Sequence, residues 1–391
     1  MERRDFLQFL ALCSMQSLLT TGCASTKTGN LIPMTSTAPV PTDPSAYPSG
    51  APQGKGQIFL FIEDRAGKVQ TLRRMDWNNY EYVDYPLPLL YPHSLLQDRN
   101  DRDVVYLFEM FGSAVRLDLR TKDAVRIDHK LAREMFYGHA AQSRAGELFV
   151  TQLGSDLTTG VVSVKETKSL RTIATLPREC DGAHQIVTMP DSNMAACGVS
   201  SVLGRGKGGA VTFVDCDTRK VVNRVALPDS ISHLFAISKD EIVALSIELD
   251  GLPLDPKYEN DSRQNAPGIA KAKPTAIYHV KPDGSSREFL NGGLFDAFRF
   301  NSGFAKIPHS DLMVTSHIGS STVIVWDGAG KPKKVHKIPH PGVVAASPNG
   351  EEIMVLTAGK AQSISVKTGE PVKTFGGDDY RVMGIAAYKN N

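Results

Sequence analysis

The chain has 391 residues, 41% of them hydrophobic and 22% charged, with 44 Lys and Arg set against 42 Asp and Glu. These proportions are ordinary for a globular domain, and the balanced charge lacks the basic excess of a nucleic-acid-binding protein, so no nucleic-acid partner is expected. The length admits two average domains, although an all-β ring or barrel uses as many residues in a single unit.

Residues 1–23 differ from the rest. Arg3 and Arg4 precede Asp5, Phe6 and Leu7, and a diluted apolar run covers residues 6–19. At about 14 residues that run is shorter than the roughly 20 needed to span a bilayer, so it reads as a targeting segment. The order R-R-D-F-L resembles the twin-arginine export signature, carried here by Arg3, Arg4, Phe6 and Leu7; an ordinary secretory signal is the alternative. A twin-arginine substrate crosses the membrane already folded. The segment ends Leu19-Thr20-Thr21-Gly22-Cys23, similar to a lipobox, with Thr20 where Leu is usual. Acylation of Cys23 would anchor the protein, each buried methylene contributing roughly 0.8 kcal/mol; the alternative is a soluble periplasmic protein cleaved near the same point. Ala24 in place of an Asp favours the outer membrane as the destination. Residues 24–55 are rich in Pro, Ser, Thr and Gly and nearly free of large apolar side chains. Such a stretch buries too little to offset its ordering entropy and is expected to be a disordered tether.

From residue 56 to 391 short β-rich runs alternate with Gly, Asp, Asn and Thr turns, the pattern of an all-β array. Two recurrences set its period. The first is a β-run closed by a polar turn at Thr121, Thr167, Thr218 and Thr368, followed by a further β-run, as at residues 170–176 and 220–227. These are third and fourth strands of successive blades; residues 321–327, S-T-V-I-V-W-D, supply another third strand with a WD-type Trp326-Asp327 pair. The second is a histidine opening a first strand: His93, His139, His184 and His233 recur at intervals of 46, 45 and 49 residues. Equivalent first strands without histidine begin near Asn301 and Gly342. A period of about 40–45 residues is that of a four-stranded propeller blade. Six units follow, and a seventh is split: residues 57–64 and 68–75 supply its outer strands and residues 382–388 its inner one, which removes open strand edges. The expected fold is an all-β, seven-bladed β-propeller, YVTN/WD40-like, closed by both termini.

With these repeats, the body resembles the bacterial YVTN-type propellers, and within them a twin-arginine-exported family of uncharacterised function. The likeness covers roughly residues 90–375 and is carried by F-Y-G-H-A-A-Q-S-R-A-G-E-L-F-V-T (136–151), G-A-H-Q-I-V-T-M-P-D (182–191) and I-S-H-L-F-A-I (231–237). The sequence departs from it where Ser-Pro-Asp-Gly turns are expected, having Ser143-Arg144-Ala145-Gly146 and Ser238-Lys239-Asp240-Glu241. The resemblance implies a shape and a location, with no established reaction.

First strands line the central channel, so His93, His139, His184 and His233 fall at nearly equivalent places in four adjacent blades. Imidazoles converging from several strands form a candidate transition-metal site, although alignment from the turns leaves His139 one residue out of register with His184 and His233, and early-blade histidines also serve structural networks. Met383 would add a soft ligand for copper or act as apolar filler. On the loop face, residues 200–209, S-S-V-L-G-R-G-K-G-G, offer Arg205 and Lys207 as anion ligands, and the long loop 250–275 is a candidate partner-recognition segment. His309, His336 and His340 fall near turns or outer strands and are expected to be exposed. Cys180, Cys197 and Cys216 follow the signal; a disulfide is possible among them, although Cys197 and Cys216 do not face each other in register. No G-x-S-x-G or H-E-x-x-H motif is present.

Three readings remain: a periplasm-facing, monomeric binding or scaffold propeller for a protein or small ligand; a metal-binding protein using the histidine ring; and, from related propellers alone, a lactonase-like or quinoprotein-like enzyme. The targeting reading has its own test. Cys23→Ser should move the protein from the membrane to the soluble fraction, and Arg3→Lys with Arg4→Lys should leave it unexported, both read by fractionation and immunoblotting.

Overall fold

The computed structural model describes residues 56–64, 70–87, 89, 92–127, 135–154, 160–200, 208–248, 270–289, 293–377 and 380–388. The signal, Cys23, the tether, Arg205, Lys207 and most of loop 250–275 lie outside the described residues.

The described strands sort into seven four-stranded antiparallel units. In chain order they are β1 (Gln57–Asp64), β2 (Gln70–Asp76) and β3 (Tyr82–Pro86); β4 (Pro92–Gln97), β5 (Val104–Gly112), β6 (Ala114–Asp118) and β7 (Ala124–Ile127); β8 (Met135–Gln142), β9 (Leu148–Leu153), β10 (Gly160–Lys165) and β11 (Thr172–Thr175). Next come β12 (Ala183–Thr188), β13 (Met194–Val199), β14 (Gly209–Asp215) and β15 (Val221–Leu227); β16 (Ser230–Ser238), β17 (Glu241–Ile247), β18 (Ile277–Val280) and β19 (Ser286–Glu288). The last are β20 (Asn301–Lys306), β21 (Met313–His317), β22 (Thr322–Trp326) and β23 (Pro332–Lys337); β24 (Pro341–Ala346), β25 (Glu352–Thr357), β26 (Lys360–Ser365) and β27 (Pro371–Phe375); and β28 (Tyr380–Tyr388). β28 pairs with β1 to complete the sheet β28-β1-β2-β3 from both ends of the chain. The units of β4–β7 and β8–β11 are joined into one sheet by pairing of Met110 with Tyr137 and Gly112 with Phe136.

Each unit places one strand innermost, and these touch in cyclic order: β4, β8, β12, β16, β20, β24, β28 and back to β4. The apolar core is distributed the same way. Seven buried clusters occur among the described residues, each drawing side chains from two adjacent units. Alternating side chains give every sheet two apolar faces, and facing sheets cover one another. This radial stack of four-stranded sheets is a β-propeller.

The recurrent threonine turn has a defined geometry. At Asp118–Lys122 and Asp215–Arg219 the last residue has positive φ, 64° and 56°, and its N–H donates to the carbonyl oxygen of the first. The Thr218 N–H and hydroxyl both donate to the Asp215 carboxylate, at 2.7 and 2.8 Å. In the turn Glu166–Leu170 the equivalent hydroxyl belongs to Ser169, so Thr167 is two positions early. The same turn occurs at Asp76–Tyr80 between β2 and β3.

Polar side chains lock the closing unit. The Arg73 guanidinium forks onto Asp84 with two 2.8 Å bonds, lies 3.7 Å above the Tyr82 ring, and donates to the Tyr380 hydroxyl at 3.2 Å. Buried Glu352 accepts from Tyr80 at 3.0 Å, Trp77 at 3.4 Å and Ser363, tying the closing unit to β25 and β26.

Of the chain's five cysteines, the three among the described residues, Cys180, Cys197 and Cys216, are free thiols buried in one cluster at the junction of the third and fourth units. Cys197 faces Thr212, and Cys216 lies beyond the end of β14. Of the three histidines expected to be exposed, His309 is, whereas His336 and His340 are half-buried, His336 because the Gly369 turn packs over its ring.

His317 is fully buried at the end of β21, bonded to Asn301 at 2.6 Å and Thr315 at 2.8 Å, with Trp326 also donating to Thr315 at 2.7 Å. Burial lowers its pKa to about 3. The unfolded chain therefore takes up this proton near pH 6.5 while the folded protein does not, and stability contributed by neutral His317 is lost progressively as pH falls from about 6.5 toward 3. Urea unfolding at pH 7, 5.5 and 4.5 should show the stability advantage of the parent over His317→Gln shrinking with each step down in pH.

Candidate functional site: a histidine cluster in the central channel

Apart from β8, which also pairs Phe136 and Tyr137 with β5, each innermost strand hydrogen-bonds a sheet neighbour on one side only, and every one of the seven carries a register shift against the next strand of its own unit in its first half. A bulge leaves a residue without a ladder partner and re-aims its side chain. In β4 the skipped residue is His93 and in β12 it is His184. β8 skips residues 137–139, ending on His139. β16 skips Ser232, with His233 the first residue paired again, opposite Leu245. Ser302 and Met383 are the skipped residues of β20 and β28.

This register corrects the alignment drawn from the turns. His139 stands in line with His93 and His184, each immediately before the strand pairs again, and His233 is the one displaced by a residue. The longer bulge in β8 absorbs the offset that turn counting assigned to His139.

Hydroxyls satisfy backbone groups that the bulges strip from the ladder. The buried Thr151 hydroxyl accepts from the His139 N–H at 3.3 Å and donates to the His139 carbonyl at 3.1 Å. Ser232 Oγ donates to the Leu245 carbonyl at 3.1 Å.

All four rings meet. His93 Nε2 and His139 Nε2 are 3.2 Å apart. Ring centroids are separated by 4.8 Å between His139 and each of His93 and His184, 5.2 Å between His184 and His233, and 5.6 Å between His139 and His233. One ligand nitrogen from each of His93, His139 and His184 lies within 4.8 Å of the others, and among the described residues no carboxylate or thiol joins that group. Two nitrogens on a tetrahedral ion with bonds of about 2.0–2.1 Å lie roughly 3.3 Å apart, so the His93–His139 spacing already matches a shared ion.

The cluster is set up as neutral donors. Burial, and then repulsion from neighbouring imidazoles, lowers the pKa of His93 to about 3 and those of His139 and His233 well below the ordinary value. Burial also lowers His184, to about 4, against an opposing hydrogen bond from the Ser232 carbonyl. His93 is exposed, whereas His139 and His184 are buried. His184 Nδ1–H donates to the Ser232 carbonyl, which fixes the tautomer and leaves Nε2 with its lone pair. His233 Nδ1 is buried with no hydrogen-bond partner among the described residues. Tyr137 packs edge-on against His184 at 4.9 Å.

The remaining candidates do not join this group. Met383 packs into the apolar cluster between the closing unit and the unit of β4–β7, as filler. Arg205, Lys207 and residues 250–269 lie outside the described residues. Sequence reading missed Gly138, because its requirement is set by a neighbouring strand. It has φ +93°, and a Cβ there would stand 2.5 Å from His93 Cδ2.

No protein-family model matches the chain, and no curated protein matches it. Among solved structures the chain is similar to the crystal structure of RRP9 WD40 repeats, with a TM-score of 0.54 and 12% identity over 73% of this chain and 80% of that one. It is also similar to the dihydro-heme d1 dehydrogenase NirN in complex with DHE, with a TM-score of 0.52 and 10% identity over 91% of this chain and 78% of that one. At such identities the likeness establishes the β-propeller fold.

Gly138→Ala should displace the His93 ring, which Gly146→Ala should not, since Gly146 has φ +89° but its nearest neighbour is 3.5 Å away at Asn100. Both variants bear the backbone strain of a positive φ, so both should lose stability, and only the first should shift the imidazole 15N resonances of the cluster.

Proposed function

We propose that the protein is an exported, membrane-anchored β-propeller whose central channel binds one late divalent first-row metal ion through His93, His139 and His184, with His233 as fourth donor. The observation that carries this reading is the convergence of three imidazoles, His93, His139 and His184, from three separate strands, with Nε2 of His93 and His139 at 3.2 Å and the His233 ring packed against His139 and His184. A cluster kept only for structure would pair these nitrogens with protein acceptors. Here His233 Nδ1 has no partner among the described residues, and His93 and His139 share one proton between their Nε2 atoms, which a bound ion would replace.

The donor set selects the metal class. Imidazole suits zinc, copper, nickel and iron, and the Irving–Williams order places Cu²⁺ above Zn²⁺ at a nitrogen site. Three imidazoles hold an ion with one position open, and His233 closing that position gives a storage or delivery site where an exchangeable ligand would give a reactive one. Export to the periplasm, acylation at Cys23 and kinship with the YVTN-type propellers complete the reading; their support is the N-terminal order of Arg3, Arg4, Phe6, Leu7 and Cys23 and the repeat motifs. A scaffold role for the loop face rests on Arg205, Lys207 and the 250–275 loop, whereas the described residues favour the channel.

Protein isolated from the export compartment, or loaded with Zn²⁺ or Cu²⁺ after chelation, should hold about one ion per chain by elemental analysis, and a content under about 0.1 per chain after loading overturns the reading. His139→Ala should weaken the ion roughly 100-fold or more while Met383→Leu leaves it unchanged.

A further inference from the structure

Beyond the histidine cluster along the inner strands lies a solvent-open pocket of about 370 Å³. Its walls come from five successive innermost strands, β4, β8, β12, β16 and β20, at positions that follow the bulges. The volume falls within the range of about 300–1,000 Å³ usual for small-molecule sites. Ala140, Ala141, Ala236 and Ala305 keep it open where larger side chains would fill the axis, and Leu96, Val187, Phe235 and Phe304 make its surface apolar. The rings of Phe235 and Phe304 lie 5.1 Å apart, and Phe235 is 6.5 Å from the His233 ring, so cavity and cluster share a wall.

Three polar side chains interrupt the apolar lining, Gln185, Thr188 and Lys306. The Gln185 carbonyl oxygen accepts the Leu234 N–H at 2.7 Å, which fixes that amide and leaves its NH₂ donors without a partner among the described residues. Lys306, at the end of β20, is solvent-exposed, carries the one charge among the lining residues and forms no ion pair among the described residues. A solvent-open, mainly apolar pocket with an exposed ammonium and an amide donor beside it matches a small molecule that is apolar along its body and anionic at one end.

We infer that this cavity is a binding site for a small organic carboxylate with an apolar body, its carboxylate at Lys306 and its body between Val187, Phe235 and Phe304. The charged end gains a partner only if it is negative, and burial of the body is favourable for any apolar chain, so the charge of the head group decides which amphiphile is held. This site stands without a metal ion, since none of its contacts belongs to the histidines.

Octanoate, octanol and octylamine, each of one chain length, are suitable probes for calorimetric titration of the full protein, run both after chelation and after loading with Zn²⁺. Octanoate should bind about tenfold or more tightly than octanol, with octylamine weakest, and Lys306→Gln should remove the preference for octanoate over octanol. Ala236→Phe should abolish binding of both octanoate and octanol. If that variant fails to fold, the ranking of the three probes on the parent protein decides instead. Equal binding of the three probes, or no octanoate binding by the chelated parent, overturns the inference; neither result bears on metal stoichiometry, which elemental analysis reads separately.

Discussion

β28 brings the C-terminal end of the described chain into register with β1, pairing Tyr388 with Gln57 and Tyr380 with Asp64. Joining segments more than three hundred residues apart costs roughly 5 kcal/mol in loop-closure entropy beyond a constant term. The return is a closed ring with an apolar junction at every boundary between units, including that of Trp77, Leu60 and Val382 with Met354. Arg73, clasped by Asp84 and by two tyrosines, and Glu352, shared by Trp77, Tyr80 and Ser363, make the same joint specific. Without closure the seven innermost strands would have no common axis on which their side chains could meet.

That axis turns a repeat into a site. In a flat sheet, residues some 45 positions apart have no reason to share a contact. Around a ring, equivalent positions of successive inner strands converge, and the bulges turn His93, His139 and His184 toward one another. The backbone groups freed by those bulges are taken up by Thr151 and Ser232, so part of what reads in the sequence as scattered hydroxyls is support for the histidines. Gly138 belongs to the same support, as the gap into which the His93 ring fits.

The channel therefore has two chemically distinct stretches in series. The upper one holds nitrogen donors whose burial and mutual repulsion keep them uncharged. The lower one is a solvent-open, mainly apolar pocket whose lining includes the exposed Lys306. Both are built on the central strands, while the loops that first drew attention as binding segments lie largely outside the described residues.

The sequence by itself determined the repeat: the histidine-led first strands, the polar turns before each outer strand and the split of one unit between the two ends could all be counted, because strand periodicity and turn chemistry are local. It also named the four histidines, since a period of about 45 residues in a propeller maps onto one ring of positions. Tertiary structure decided what counting along the chain could not. It placed His139 in line and His233 one residue out, because bulge length depends on pairing with the next strand. It put Ser169 where Thr167 was expected, for a turn is fixed by the bond it closes. It buried Cys180, Cys197 and Cys216 as free thiols, half-buried His336 under a neighbouring turn, and opened a cavity between Ala141 and Phe304. Each of these is set by residues remote in sequence whose spacing only the closed ring defines.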